Sequence, residues 1–268
     1  MGKPQYIKWI AKEQGVTFED GVPLNCYALD YTLDDNVLDD WALHIRRHYI
    51  DDDELAESIE IHKLSVEDYL RKYIIPQKND EFGSTSRSND ITEILVSDLL
   101  EFILHFTVPR CKQNNRSGKS LSEHGTDVIA YKFYSDDKTP NKRDILCAAE
   151  VKATLTSNEP DAIKSAVKDS FKDEQRFSHT LDHMRKKLKY LGNIDQALEV
   201  ARFQQKSDME YITRYIAAGV SSQPVIDKKV IIGIKGSDLV LKDNQRVFYI
   251  HGQKLMDLTH DVFERCIR

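Results

Sequence analysis

The chain has 268 residues, a net charge of −6, 40% hydrophobic and 31% charged residues. That is the profile of an ordinary soluble globular protein, of one large or two small domains with enough chain to bury a substantial core. It excludes a uniformly basic nucleic-acid binder, and no apolar run is long enough to span a bilayer.

The charge is unevenly placed. Residues 1–100 carry 10 Lys+Arg against 21 Asp+Glu, a net of −11, while the remainder is net +5. The N-terminal MGKPQYIKWIAKEQG is amphipathic but has no signal-peptide core or cleavage site, which points to a cytoplasmic protein. Residues 1–80 are expected to form an N-terminal α+β extension, mostly helical. VPLNCYALD reads as a strand, and VLDDWALHIRRHYI and SVEDYLRKYI have apolar residues at helical spacing. The acids Asp34, Asp35, Asp39, Asp40 and the run Asp51, Asp52, Asp53, Glu54 suit solvated helix ends; they would equally suit a docking surface for a basic partner. PQKNDEFGSTSRSND, 76–90, is rich in turn formers and reads as a domain boundary.

A second unit is expected over 90–268. Asp90-x-x-Glu93 is a helix start signal, followed by ITEILVSDLLEFILHF with apolar positions 91, 94, 95, 99, 102 and 103 on one face. A polar, basic loop with Lys112, Arg116 and Lys119 leads into HGTDVIAYKFY, 124–134, a strand rich in β-branched and aromatic residues. DILCAAEVKATL, 144–155, reads as a second strand. Pro160 to about Ala218 reads as helical and includes the basic HMRKKLKYL. KKVIIGIKG, 228–236, and QRVFYIHG read as strands, and KLMDLTHDVFERCI as a closing helix. The order implies an α/β fold around one mixed sheet. Cys26, Cys111, Cys147 and Cys266 lie far apart without CxxC spacing, which argues against a zinc site and for reduced thiols. No G-x-x-x-x-G-K-[ST] loop occurs, so an ATPase is not expected in this chain.

Chemistry concentrates on the strand pair. Residues two apart share a strand face, so Glu150 and Lys152 project together while Val151 points into the core. An antiparallel hairpin whose paired residue numbers sum to about 279 places Asp127 near Lys152 and diagonal to Glu150, within about 5–8 Å. Two carboxylates, a backbone carbonyl such as that of Val151 and waters make an oxygen-only site for Mg²⁺ or Mn²⁺. Such a metal lowers the pKa of bound water, and Lys152 can orient that water near a scissile phosphate. Glu150-Val151-Lys152 is the one Glu-x-Lys triplet in the chain, though a surface ion pair would look the same. Glu93 could serve the metal or merely complete the capping box begun at Asp90. Asp98 and His124 are weaker candidates. Arg185, Lys186, Lys187 and Lys189 suit either a phosphate-tracking surface or a solvated helix face.

The succession of ITEILVSDLLEF, HGTDVIAYKF and CAAEVKAT resembles the PD-(D/E)XK nuclease superfamily, with Thr126 where the Pro of that name would stand. Across most of the chain, including WALHIRRHYI, the layout also resembles the nuclease subunit of the Hachiman anti-phage defence system, which works beside a helicase subunit. The resemblance implies a restriction-endonuclease-like core, with a mixed sheet flanked by helices. It implies Asp127, Glu150, the Val151 carbonyl and Glu93 around Mg²⁺ or Mn²⁺, and Lys152 as the catalytic lysine. It also implies DNA as substrate and a helicase as partner. The alternatives are a catalytically inactive nucleic-acid-binding adaptor of the same fold and a site-specific restriction endonuclease, whose recognition element the sequence does not reveal.

Overall fold

The computed structural model describes residues 2–121, 123, 125–157, 159–204, 207, 209–223 and 226–268, the side chains of 173–175 excepted. His124 lies outside the described residues. In chain order the elements are β1 (Ile10–Glu13), β2 (Thr17–Phe18), β3 (Asn25–Leu29), α1 (Asp35–Tyr49), α2 (Asp52–His62), α3 (Val66–Tyr69), α4 (Gly83–Asp98) and β4 (Val128–Lys132). There follow β5 (Ile145–Thr154), α5 (Asp161–Ser170), α6 (Asp173–Tyr190), α7 (Ile194–Arg202), β6 (Ile212–Ser221), β7 (Val230–Ile231), β8 (Gln245–Gly252) and α8 (Leu255–Arg265).

Six strands form one mixed sheet in the order β1-β3-β8-β6-β5-β4. The edge pairs β1/β3 and β4/β5 are antiparallel, and the central pairs β3/β8, β8/β6 and β6/β5 are parallel. Strands of the first thirty residues thus share a sheet with those after residue 127. Both faces are covered, which is why β5 and β6 read as nearly unbroken apolar runs. On one face Val128, Ala149, Val151, Ala218, Phe248 and Ile250 join a core with α1, α4 and α8 residues such as Trp41, Leu95 and Phe263. On the other, Ala217, Val247 and Tyr249 pack with Ile163, Ala166 and Val167 of α5, and Ala148 and Ile129 pack beneath α6 and α7. Helix α5 lies directly on β6 at Gly219, where a Cβ would come within 2.8 Å of the Ile163 backbone nitrogen. Among the described residues no helix is long and apolar enough to cross a membrane.

Three sequence expectations need correction. Helix α4 begins at Gly83 rather than at Asp90. Its first residues look like turn formers, but Gly83 is there for a close approach: a Cβ would meet the Gln77 carbonyl oxygen at 1.8 Å. The segment 212–218, read as helical, is part of β6, since a strand buried on both faces shows no period of two. The strand read over 228–236 shrinks to Val230–Ile231, paired in parallel with β2, because Lys228, Lys229 and Gly233 take positive φ around it.

Much of the N-terminal acid serves local structure. Asp34 caps α1 by accepting from the Asn36 and Val37 amides, and Asp51 caps α2 by accepting from the Glu54 amide. Asp52 pairs with Arg46 and Arg47, and Asp35 and Asp39 pair with Arg265.

Candidate active site

Strands β4 and β5 pair with Val128 opposite Ala149. Continued by one residue, that register sets Asp127 opposite Glu150, two residues away from the expected register, with Lys152 on the diagonal. Side chains directly opposite share a face and the side-chain period is two, so a shift of two residues keeps both carboxylates on the same side. Asp127 is fixed by the Val151 amide, which donates to Oδ2 at 2.9 Å. Val151 itself is buried in the core of the opposite face. The Lys152 ammonium donates to Glu150 Oε1 at 2.6 Å and lies 3.3 Å from Asp169 Oδ2, contributed by α5. Glu150 is 6% exposed, whereas the Lys152 side chain is one-third exposed and reaches the rim.

Glu93 comes from the other layer. Because α4 starts seven residues before Asp90, Glu93 is not in the first turn and completes no capping box. Asp90 is buried instead in an ion pair with Arg116, whose Nη1 is 2.8 Å away, and accepts from the Tyr49 hydroxyl. Glu93, 5% exposed, is joined to Asp127 by a residue that stands out in the sequence only as part of a basic loop. The Lys112 ammonium donates to Glu93 Oε1 at 2.8 Å and to Asp127 Oδ1 at 3.0 Å. Gln113 donates its side-chain amide to Glu93 Oε2 at 3.1 Å. Lys112, Gln113 and Asp169 were all missed, since no periodicity ties a loop residue to a strand end.

Burial pushes the Glu93 carboxyl up to about 8 against the pull of Lys112, with the charges of Asp127 and Asp90 adding to the rise. Burial works against the Lys112 ammonium, yet Glu93 and Asp127 hold it above its ordinary value. One ammonium faces two carboxylates there, and the more deeply buried carboxylate is the one that gives way. Burial also opposes the Lys152 ammonium, and Glu150 holds it up.

The donor set fits a hard divalent cation. Glu93, Asp127 and Glu150 are carboxylates, and Val151 adds a carbonyl, so every donor is oxygen. Lys112 already places a positive charge between Glu93 and Asp127, so the two carboxylates together accept a cation. The remaining candidates fall elsewhere. Asp98 is fully buried among Tyr6, His44 and Arg110, in a network that ties α1 to the end of α4. In the basic segment, Arg185 and Lys186 pair with Asp182, Lys187 pairs with Glu123 at 2.7 Å, and Lys189 is exposed. Lys187 lines the same cleft as Lys112 and Asp127.

A family model described as HamA matches residues 4–266 of this chain. No curated protein matches it.

Proposed function

Because the chain belongs to the HamA family, a component of the Hachiman anti-phage defence system, we propose that it is that system's metal-dependent DNA endonuclease, acting in the cytoplasm beside a helicase subunit. The observation that carries this reading is the convergence of five side chains on one rim of the sheet. Asp127 and Glu150 stand opposed, Lys152 reaches out beside Glu150, and Lys112 ties Glu93 to Asp127.

Asp127, Glu150, Glu93 and the Val151 carbonyl would hold Mg²⁺ or Mn²⁺. When bound, the ion supplies an acidified water and polarises a phosphoryl oxygen. The protein's own groups do the rest. The Val151 amide holds the Asp127 carboxylate in place. Asp169 and Glu150 orient Lys152, whose ammonium positions the attacking water and adds positive charge beside the phosphate as its charge builds. Lys112 and Lys187 line the cleft beside Asp127, each paired with carboxylates in the absence of substrate.

The test uses the purified protein with plasmid DNA, with and without Mg²⁺ and the helicase subunit. Cleavage should require the metal, stop in EDTA and disappear in Lys152→Ala, whose truncation at the partly exposed rim leaves the fold intact. Cleavage retained by folded Lys152→Ala would overturn the assignment.

A further inference from the structure

Toward the other edge of the same sheet, β1, β3 and β8 bring together a second cluster that the nuclease reading does not use. Glu13 stands opposite Cys26 in the β1/β3 pair, and His251 stands opposite Ala28 in the β3/β8 pair, two residues along from Cys26. All three therefore share a face. One donor atom from each, a carboxylate oxygen, the thiol sulfur and an imidazole nitrogen, lies within 4.8 Å of the other two. Cys26 Sγ is 3.4 Å from Glu13 Oε2, and His251 Nε2 is 2.9 Å from the same oxygen.

We propose that Glu13, Cys26 and His251 form a zinc-class metal site, separate from the oxygen-only cluster on β4 and β5. Three features carry it. The first is spacing. With metal–ligand lengths of about 2.0–2.3 Å in tetrahedral geometry, neighbouring donors sit roughly 3.3–3.7 Å apart. The observed 3.4 and 2.9 Å reach that range with movements of a few tenths of an ångström.

The second is the orientation of His251. Its Nδ1 lies 2.7 Å from the Gln223 backbone carbonyl, which can only accept, so Nδ1 carries the hydrogen and Nε2 is turned toward Glu13 and Cys26. A ligating imidazole is held this way, its second nitrogen donating to a carbonyl or carboxylate. Tyr249 stacks on the ring with centroids 5.9 Å apart and donates its hydroxyl to the Gln223 side chain, which keeps both partners in place.

The third is donor chemistry. A thiolate, an imidazole and a carboxylate select zinc or a similar borderline ion over Mg²⁺. Burial first, and then the charge of Glu13, push the Cys26 thiol up, so without a cation it keeps its proton. A bound metal takes that proton's place and releases it to solvent. The Glu13 side chain is about one-third exposed, which leaves a fourth position open to water.

Lys152, Gly219, Tyr249, Cys26 and Glu13 lie in register across five adjacent strands. At about 4.8 Å per strand, Cys26 is roughly 14 Å from Lys152, too far for the two centres to share an ion. Cysteine spacing along the chain could not reveal this site, because each ligand comes from a different strand.

The test titrates Co²⁺ into the full chain with excess Mg²⁺ present to fill the carboxylate cluster. The expected result is a thiolate-to-cobalt charge-transfer absorption that saturates at one equivalent and is displaced by zinc. It should be absent from Cys26→Ser and at least tenfold weaker in affinity in Glu13→Gln, a change at the partly exposed edge that leaves the core intact. Zinc at a hundredfold above its dissociation constant should raise the melting temperature of the wild type by roughly 5–10 °C. A folded wild type without the absorption, or Cys26→Ser that keeps it, would reduce the cluster to a hydrogen-bonded Glu–His pair beside a thiol and overturn the proposal. Unchanged cobalt affinity in Glu13→Gln would overturn it equally.

Discussion

Replacing Lys112 with Met keeps the length of the stem and removes only the ammonium between Glu93 and Asp127. From its two hydrogen bonds, 2.8 and 3.0 Å, the facing carboxylate oxygens are at most about 6 Å apart. At an effective dielectric constant of about 20, two unit charges at that distance repel by about 3 kcal/mol. Breaking a buried ion pair from one side costs a similar ~3–5 kcal/mol. A chain of this size loses about 2–4 °C in melting temperature per kcal/mol, so in EDTA the variant should melt roughly 6–12 °C below the wild type. The full loss is expected above about pH 8, because burial pushes Glu93 up to about 8 and at neutral pH proton uptake by this carboxyl relieves most of the repulsion, so unfolding is followed at about pH 9. If the two carboxylates also hold the metal, saturating Mg²⁺ should recover much of the loss and stabilise the variant more than the wild type. The assay is thermal unfolding by circular dichroism, in EDTA and in a Mg²⁺ series. A variant as stable as the wild type in EDTA would refute the electrostatic account. Equal stabilisation of both proteins by Mg²⁺ would refute the shared site.

Other expectations concern regions away from the metal. The Asp98 carboxyl resists its own burial because Arg110 and His44 hold it below its ordinary value. Its contribution to stability is therefore complete above the unfolded pKa of about 3.9 and drains away as pH falls toward the folded value. Asp98→Asn should cost ~3–5 kcal/mol at neutral pH and flatten the acid limb of the stability profile; a profile that keeps the wild-type acid limb would contradict this. On α2, Asp53, Glu57 and Glu60 are exposed at helical spacing, whereas Asp51 caps the helix and Asp52 is paired. Reversing those three exposed acids to Lys should weaken association with the helicase subunit severalfold at low salt and less at high salt. An undiminished complex in a pull-down would place the interface elsewhere.

Local signals in the sequence were informative, and long-range ones were not. The strands expected around 124–134 and 144–155 are present as β4 and β5, because β-branched and aromatic content marks the first and a short apolar run the second. Their register differs by two residues, since the nine-residue connection expected at 135–143 sets no fixed turn geometry. The start of α4 was misplaced because glycine and serine read as punctuation, while Gly83 is required for packing on Gln77. Strand β6 was hidden by its burial on both faces. For the candidate site, Asp127, Glu150 and Lys152 could be placed together because a single hairpin contains them. Lys112, in a loop, and Asp169, at the end of a helix, reach it only through the tertiary fold.

The strand order has a consequence for how the chain is made. β8 lies between β3 and β6, so it is the seam between two partial sheets, β1-β3 and β6-β5-β4. Asn25 on β3 donates its side-chain amide to the Val247 carbonyl on β8, 222 residues away in sequence. The β1-β3 pair is synthesised long before the strand that joins it to the rest, whereas β6 ends at Ser221, close ahead of β8 at Gln245. Until β8 arrives, each exposes a parallel-pairing edge to water and to other chains. Such long-range closure is slow and leaves edges open to misassembly, so yield on expression should depend on synthesis rate and chaperone supply more than on the stability of the finished sheet.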